Sequence, residues 1–224
     1  CLNTPTQFLD LSTVSNANTF NTLTTWQWDF GDGVGTSALQ NPTYTYNQEG
    51  VYPVMLTVTS NNGCSHDTTI NVTVNPLPIV DFEGPAQGCS PVCANFLNNS
   101  NISSGVISSW QWDFGDGNMS QAASPSNCYV NLSRSVVANY DVTLTATSDK
   151  GCSSTLTKPS LITVYPIPLA DFTYSPEEVD VNDPQIEFND ESIIASSWLW
   201  DLGDGNTSIL SNPVHTYPDS GYYN

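Results

Sequence analysis

The chain has 224 residues, of which 22 are acidic and only 3 are basic, so its formal net charge is −19. A surface this acidic repels phosphate groups, which argues against nucleic acid and anionic membranes as binding partners. No run of 18 apolar residues is present, so the sequence predicts no membrane insertion of this segment. Thr, Val, Tyr, Trp, Asn and Ser are abundant and helix formers are scarce, which favours strands joined by turns.

One stretch of eight residues occurs three times in the form Trp-x-Trp-Asp-(Phe/Leu)-Gly-Asp-Gly. Its copies occupy residues 26–33, 110–117 and 198–205. Successive copies are 84 and 88 residues apart, a period that suits separate small domains better than the units of a solenoid. We therefore predict three units: 1–75, without its N-terminal strand; 76–165; and 166–224, truncated at its C-terminal side.

In the first unit, alternating apolar and polar residues predict a strand over 7–12, and a polar loop follows over 13–24. The next strand contains the repeated stretch. Because side chains two positions apart share one face of a strand, its aromatic residues point to one side. This pattern is typical of a sandwich core, and it recurs in every unit: Trp26, Trp28, Phe30; Trp110, Trp112, Phe114; Trp198, Trp200, Leu202.

The Gly-Asp-Gly that ends each stretch predicts a tight turn, since Asp-Gly pairs supply the positive φ that hairpin turns need. A short strand near 35–38, another over 43–46, a long one over 50–59 and a last one over 66–74 follow in the first unit. Pro53 indicates that one edge of the long strand is free at that point. About seven short strands per unit predict an antiparallel β-sandwich.

Two segments with the pattern Pro-x-Pro separate the predicted units, at residues 75–78 and 165–168. Two prolines within four residues favour an extended, semi-rigid connector. We therefore expect the units to be held end to end, as a rod.

The six cysteines include no CxxC pair. Two of them bracket the first unit, two occupy the matching positions of the second, and the remaining two have no counterpart in the first. We therefore predict three disulfide bonds: Cys1–Cys64, Cys89–Cys152 and Cys93–Cys128. Such bonds imply an oxidising compartment outside the cytosol. A zinc site is the alternative, but the spacings do not match one.

Three motifs in succession carry a resemblance to a known family. They are the Trp-x-Trp stretch, Asn-Pro-x-x-x-Tyr and Gly-x-Tyr-x-Val-x-Leu-x-Val, at residues 26–33, 41–46 and 50–58 of the first unit. This succession resembles the PKD (polycystic kidney disease) domain. The later units match at 110–117 and 125–129, and at 198–205 and 212–217. The middle unit departs from the pattern through an insertion over 131–139.

The resemblance implies tandem immunoglobulin-like β-sandwiches and an extracellular role in spacing, linkage and contact with proteins or glycans. The cysteines and Pro-x-Pro links resemble PKD arrays of large secreted surface proteins of bacteria, some of which are adhesins or gliding-associated proteins. PKD units are not enzymes by themselves, and the chain contains no Ser elbow, His-rich metal motif or phosphate-binding loop. We expect no catalysis by this segment and no required cofactor.

Calcium is one candidate ligand, because each repeated turn carries two carboxylates: Asp29 and Asp32, Asp113 and Asp116, Asp201 and Asp204. Calcium takes six to eight oxygen ligands, and Asp10, Asn98 and Asp190 on the facing strand are candidates to add oxygens. Some PKD domains bind calcium, which the resemblance adds in support. The simpler interpretation is that each Asp caps backbone amides of its own turn.

Glycans are a second candidate modification. Asn71, Asn98, Asn101, Asn118, Asn131 and Asn206 begin Asn-x-Ser/Thr sequences, and Thr68 lies in Asp-Thr-Thr, which resembles a short bacterial O-glycan acceptor motif. Of these, Thr68, Asn71 and Asn101 are the candidate sites. Six tyrosines are candidate sugar-stacking residues, although core packing explains most of them equally well: Tyr44, Tyr52, Tyr129, Tyr217, Tyr222 and Tyr223.

The sequence thus favours a non-catalytic, rigid extracellular stalk or fibre of a bacterial surface protein. Its expected partners are other repeats of the chain and surface glycans or proteins. An accessory module of a secreted protease or polysaccharide hydrolase is the alternative. A third hypothesis is self-association into a polymer, in which one copy supplies strands missing from another.

Overall fold

The computed structural model describes residues 1–14, 21–84, 87–180 and 182–223. The regular elements within these ranges are β-strands, in three successive groups along the chain. Over the same ranges, the structure contains no helix with the length and apolar character that crossing a membrane requires. The all-β sandwich class predicted from composition and turn spacing is confirmed.

The first unit forms a four-stranded sheet in the order β3-β2-β5-β6 and a second pairing of β1 with β4. Every one of these pairings is antiparallel. The strands are β1 (Thr6–Gln7), β2 (Leu23–Asp29), β3 (Thr36–Ser37), β4 (Thr43–Tyr44), β5 (Gly50–Ser60) and β6 (Ser65–Val74).

The second unit has a five-stranded sheet in the order β12-β11-β14-β15-β8, where β8 runs parallel to β15. The facing layer consists of β13 paired with β9 and β10 paired with β7. The strands are β7 (Phe82–Glu83), β8 (Gln87–Cys89), β9 (Val92–Asn95), β10 (Leu97–Asn98), β11 (Ile107–Asp113), β12 (Met119–Ser120), β13 (Ser126–Tyr129), β14 (Ala138–Ser148) and β15 (Ser153–Tyr165).

The third unit has one sheet in the order β16-β17-β20 and a β18-β19 hairpin. Its described residues include no counterpart of the long strands β14 and β15. An open groove of about 1270 Å³ lies where those strands pack in the second unit, and Phe172 on its wall is 51% exposed. The strands are β16 (Phe172–Ser175), β17 (Gln185–Asp190), β18 (Trp200–Asp201), β19 (Thr207–Ser208) and β20 (Val214–Thr216).

The aromatic stripe of each repeated stretch faces the core, as the period of two predicts. Trp28 and Phe30 are buried in the first unit, while Gln27 and Asp29 between and beside them are exposed. In the second unit Trp112 is 0% exposed, and it packs edge-on against Phe82 with ring centroids 5.0 Å apart. In the first and second units the stripe is therefore a packing feature, and Trp28 and Trp112 are not available as a ligand platform.

The first strand is shorter than the alternation over residues 7–12 predicts. Only Thr6 and Gln7 pair with β4. Beyond them the Phe8 N–H donates to the Pro42 carbonyl, and the Asp10 N–H donates to the Asn41 side chain, so turn contacts replace the strand ladder. The loop predicted over 13–24 lies partly outside the described residues.

Pro53 occupies the position that its missing N–H requires. In β5 it pairs with Asn71 of β6, but pairing with β2 on the other side ends at Met55. The edge of β5 that faces β2 is therefore free at Pro53, as the sequence predicts.

Because the strands β16, β17 and β20 contain no buried residue, the backbone hydrogen bonds of the third unit should open more readily than those of the second unit. We expect amides of β17 to exchange with deuterium at least about tenfold faster than amides of the equivalent β9 and β10. Exchange of the 224-residue chain followed by peptide mass spectrometry measures both in one sample. Equal protection of the two segments would contradict the expectation.

Candidate functional site

The repeated turns are the first candidate site, because each gathers two carboxylates at one end of its sheet. The first Asp of every turn accepts a hydrogen bond from the amide two residues later: Gly31 N to Asp29 Oδ1 is 2.8 Å, Gly115 N to Asp113 Oδ1 is 2.9 Å, and Gly203 N to Asp201 Oδ1 is 3.1 Å. These glycines have φ between 76° and 80°, in the left-handed region. The first carboxylate therefore caps its own turn.

The second Asp of each turn also caps backbone amides, but in addition it binds a side chain from the facing layer. In the first unit the Tyr44 hydroxyl donates to Asp32 Oδ2 at 2.5 Å. In the second, Asn127 Nδ2 donates to Asp116 Oδ2 at 2.7 Å. In the third, His215 Nε2 lies 2.8 Å from Asp204 Oδ2. Three different residue types thus make one equivalent contact.

This contact escapes sequence reasoning because the partner changes chemistry from unit to unit. His215 has Tyr44 and Asn127 at its matched positions, which makes it look unrelated to any repeated apparatus. A positional signal was nevertheless present, since each partner lies two residues before the tyrosine that follows Asn-Pro or Ser-Pro. What the units share is a hydrogen-bonding group at that position.

In the first and third units this contact lowers the pKa of the second carboxylate. The hydrogen bond from Tyr44 lowers the pKa of Asp32, and the same bond raises the pKa of Tyr44 to about 12. In the third unit the hydrogen bond from His215 lowers the pKa of Asp204 to about 2. Asp32 and Asp204 are therefore held ionised, as a capping role requires.

The pKa of Asp204 gives a direct test of this pairing. Since it lies below the ordinary value of 3.8, the carboxylate stabilises the third unit above about pH 4, and this contribution is lost as the pH falls towards 2. We expect His215→Ala to raise the pKa of Asp204 towards 3.8, measured by NMR titration of its carboxyl carbon. His66→Ala, which removes a histidine of the first unit, is the matched control. An unchanged Asp204 pKa in His215→Ala would contradict the assignment.

The facing-strand residues proposed as further calcium ligands are engaged elsewhere. Asp10 Oδ2 accepts from the Trp26 indole at 2.6 Å, Asn98 Nδ2 donates to the Ala123 carbonyl at 3.0 Å, and Asp190 Oδ1 accepts from the Ser192 amide at 3.0 Å. Within the described ranges, no group of three or more His, Cys, Asp or Glu side chains comes together as a metal site would require. Calcium binding at the turns remains a prediction.

The tyrosines proposed as sugar platforms serve mainly in packing. Tyr217 is buried, and its hydroxyl donates to the Leu202 carbonyl at 3.0 Å. Tyr129 is 0% exposed, and burial raises its pKa to about 12. Among the six candidates, Tyr222 is the fully exposed one within the described residues.

The candidate glycosylation sites differ in accessibility. Thr68 and Asn71 lie exposed on β6, and Asn101 is exposed at a bridge to Ile79. Asn131 is buried instead, because its Nδ2 donates to the carbonyls of Val136 and Val164, at 2.8 and 2.9 Å. Its Asn-x-Ser sequence is therefore structural, whereas modification of the three exposed residues remains a prediction.

The disulfide pairing corrects the sequence prediction for four of the six cysteines. Cys1 is bonded to Cys152, with 5.6 Å between the Cα atoms, and Cys93 is bonded to Cys128 within the second unit. Cys64 and Cys89 are free and exposed. The predicted pairs Cys1–Cys64 and Cys89–Cys152 do not form.

The physical reason is that each predicted pair lies at opposite ends of one strand. Leu2 N donates to the Asn75 carbonyl, which places Cys1 beside the end of β6, while Cys64 immediately precedes its start. Ten residues of strand span roughly 30 Å, whereas a disulfide needs Cα atoms within about 7 Å. Repeated spacing identified equivalent cysteines correctly, but it did not show to which end of the sandwich each belongs.

The bond between Cys1 and Cys152 makes the junction of the first two units a second candidate site. Cys152 is 1% exposed, and Pro76 and Pro78 of the connector are buried. Nearby, Ser103 Oγ of the second unit donates to Glu49 Oε2 of the first at 2.8 Å. The two units are thus joined by the chain, by a disulfide and by a polar contact.

Comparison with known sequences places these features in a family. The sequence profile of the PKD domain matches residues 4–74, 75–164 and 166–224. The Pre-pro-metalloprotease PrtV of Vibrio cholerae serotype O1 (strain M66-2) is 40% identical over 83 residues, which is 37% of this chain and 8% of that protein. The PrtV of the El Tor strain N16961 matches to the same extent. The alignment thus spans less than a tenth of these curated relatives.

Two solved structures of single PKD domains are similar to part of the chain. The PKD1 domain of Vibrio anguillarum Epp has 30% sequence identity and a TM-score of 0.34, covering 41% of this chain and 100% of that one. The PKD1 domain from Vibrio cholerae metalloprotease PrtV has 34% identity and a TM-score of 0.32, covering 41% of this chain and 98% of that one.

Proposed function

We propose that this chain, which belongs to the PKD domain family, is a non-catalytic segment of a rigid stalk or fibre at a bacterial cell surface. PKD domains are generally non-catalytic modules, so spacing, linkage and contact with surface glycans or other proteins form the proposed role. The observation that carries the proposal is the disulfide between the first and second units. This bond joins a cysteine of one unit to a cysteine of the next, so it restrains their junction.

The environment of the connector supports a rod. Its two prolines are buried and have restricted φ angles, so the connector contributes little flexibility. The disulfide then restrains the same junction at a second point. Two attachment points separated in space oppose bending as well as separation.

The chemistry of the cysteines and the charge support an extracellular location. Disulfides persist in oxidising compartments, and two are present. The net charge of −19 keeps a long array soluble and makes its units repel one another except where they are joined.

Small-angle X-ray scattering of the 224-residue chain tests the stalk function. We expect an elongated particle whose maximum dimension decreases, and whose flexibility increases, in the double variant Cys1→Ser with Cys152→Ser. The matched control is Cys93→Ser with Cys128→Ser, which removes a bridge within one unit and should leave the junction straight. A compact particle for the unaltered chain would reject the stalk.

The similarity to the metalloprotease PrtV favours a second candidate, an accessory module of a secreted hydrolase. In that case the chain should bind an insoluble substrate by itself. A pull-down on insoluble polysaccharide and on collagen fibres tests this, with a variant Tyr222→Ala as the probe of the exposed aromatic residue. Binding that this variant weakens would favour the accessory module over a spacer.

A further inference from the structure

We propose that Cys64 and Cys89 are the two open ends of a disulfide ladder, in which each binds a cysteine of the adjoining PKD unit as Cys1 binds Cys152. The partner of Cys89 is the hairpin cysteine of the unit that follows, and the partner of Cys64 is the first cysteine of a unit that precedes. This inference deepens the stalk function proposed above and rests on it.

Cys1 and Cys89 occupy the same place in their units. The residue after Cys1 donates its amide to the Asn75 carbonyl at 2.9 Å, at the end of β6. The residue after Cys89 donates its amide to the Tyr165 carbonyl at 3.0 Å, at the end of β15. Both cysteines therefore lie beside the start of a Pro-x-Pro connector, at the end of the unit that meets its successor.

Cys64 and Cys152 likewise occupy one kind of turn, which joins the two longest strands of each unit. In the first unit, Cys64 N donates to Ser60 Oγ at 3.3 Å, and Ser60 N donates to the Cys64 carbonyl at 2.9 Å. In the second, the corresponding distances between Cys152 and Ser148 are 3.1 and 2.8 Å. The backbone hydrogen bonds around the two free cysteines thus match those around the two bonded ones.

The two free thiols lie at opposite ends of the first two units, so they cannot bind each other. Cys64 lies at the end of the first unit away from the second, and Cys89 lies at the end of the second unit that meets the third. The third unit contains no cysteine in residues 166–224. Among the described residues of the third unit, no hairpin corresponds to the one that carries Cys152.

The second connector is more exposed than the first. At the bridged junction Pro76 and Pro78 are both buried. At the second junction Pro166 is buried, but Pro168 is exposed and Ile167 is 56% exposed. A hairpin placed as that of the second unit is placed against the first would cover these residues and bring its cysteine to Cys89.

Formation of each disulfide bond of the ladder is a two-electron oxidation. Each of the two thiols loses a proton, the sulfur–sulfur bond forms, and the two electrons reduce the disulfide of a thiol–disulfide oxidant to its dithiol. Such oxidants belong to the oxidising compartments in which the existing bridges persist.

The test supplies the missing partner. A second copy of residues 76–165 is inserted after residue 165 of the full chain. This extended chain is produced in a glutathione buffer that contains the oxidised form, and its free thiols are alkylated. Its disulfide bonds are then mapped by mass spectrometry without reduction. We expect Cys89 of the first copy to be linked to Cys152 of the inserted copy, and Cys89 of the inserted copy to be alkylated. Cys152→Ser in the inserted copy is the matched control, and it should leave both Cys89 thiols alkylated.

The bonds Cys1–Cys152 and Cys93–Cys128 in the same digest report whether the units have folded. Correct formation of both, with Cys89 of the first copy still alkylated, would overturn the ladder. A second extended chain tests Cys64. It carries a copy of residues 76–165, then a copy of residues 76–88, and then the full chain from residue 1. We expect Cys89 of the added 76–165 copy to be linked to Cys64. Scattering of the unaltered chain is independent of these links, so failure of the stalk and failure of the ladder are distinguishable.

Discussion

Trp112→Ala is expected to lower the free energy of unfolding of the second unit by about 3–5 kcal/mol, as removal of a large buried aromatic residue usually does. The side chain is 0% exposed and contacts Phe82, Phe96 and Phe114 with ring centroids 5.0 to 6.2 Å apart. Its indole N–H also donates to the Ala122 carbonyl at 3.0 Å. The substitution therefore leaves a cavity and an unpaired carbonyl. Differential scanning calorimetry of the full chain measures the shift of the transition that belongs to this unit.

The matched control is Trp200→Ala, at the equivalent position of the third unit. Trp200 keeps the indole hydrogen bond, to the Leu210 carbonyl at 2.7 Å, but its ring is only partly buried and lines the open groove. We expect a distinctly smaller loss there, because much of the ring already contacts solvent. Equal losses of unfolding free energy at the two positions would show that burial of the ring in the second unit does not determine the size of the loss.

Gly115→Ala is expected to destabilise the second unit by about 3 kcal/mol, through a left-handed backbone and an overpacked contact acting together. Gly115 has a φ of 76°, and an added Cβ would lie 2.4 Å from the Asp141 carbonyl oxygen. A backbone atom cannot move aside as a flexible side chain can. Urea unfolding, followed by a peptide-resolved exchange signal from this unit, measures the loss.

Gly117→Ala separates these two causes. Gly117 also has a positive φ, of 93°, but an added Cβ would have no neighbour within 4 Å. Only the backbone cost of about 1–2 kcal/mol should therefore remain. If both variants lost the same stability, close approach of β14 to the turn would not be the reason for glycine at position 115.

Much of the fold could be predicted from local patterns. The stripe of Trp110, Trp112 and Phe114 has the period of a strand, and Asp-Gly pairs identify the turns because few other residues tolerate a positive φ. These signals depend only on neighbours in sequence. The capping role of Asp113 belongs to the same class, since its amide partner lies two residues away.

Contacts between distant residues were predicted less well. The pairing of Cys1 with Cys152 depends on which ends of two units meet, and a repeated spacing carries no information about that. The contact of Asp116 with Asn127 was hidden for another reason: a hydroxyl, an amide and an imidazole all satisfy the same oxygen in different units. The three units share the capacity to hydrogen-bond to that carboxylate oxygen, and the type of residue at the position does not reveal this capacity.

The bond between Cys1 and Cys152 also determines how the chain responds to tension. Its two cysteines are 151 residues apart, so the polypeptide between them forms a closed covalent loop. A pulling force applied along the molecule passes through the sulfur atoms and bypasses that loop. The loop holds roughly 400 Å of extended contour length outside the 35 residues that Cys93–Cys128 encloses. The first unit and most of the second therefore bear no load, and their unfolding would not lengthen the molecule. Only reduction of the bond releases the stored length, which makes extensibility a property of redox chemistry as well as of folding.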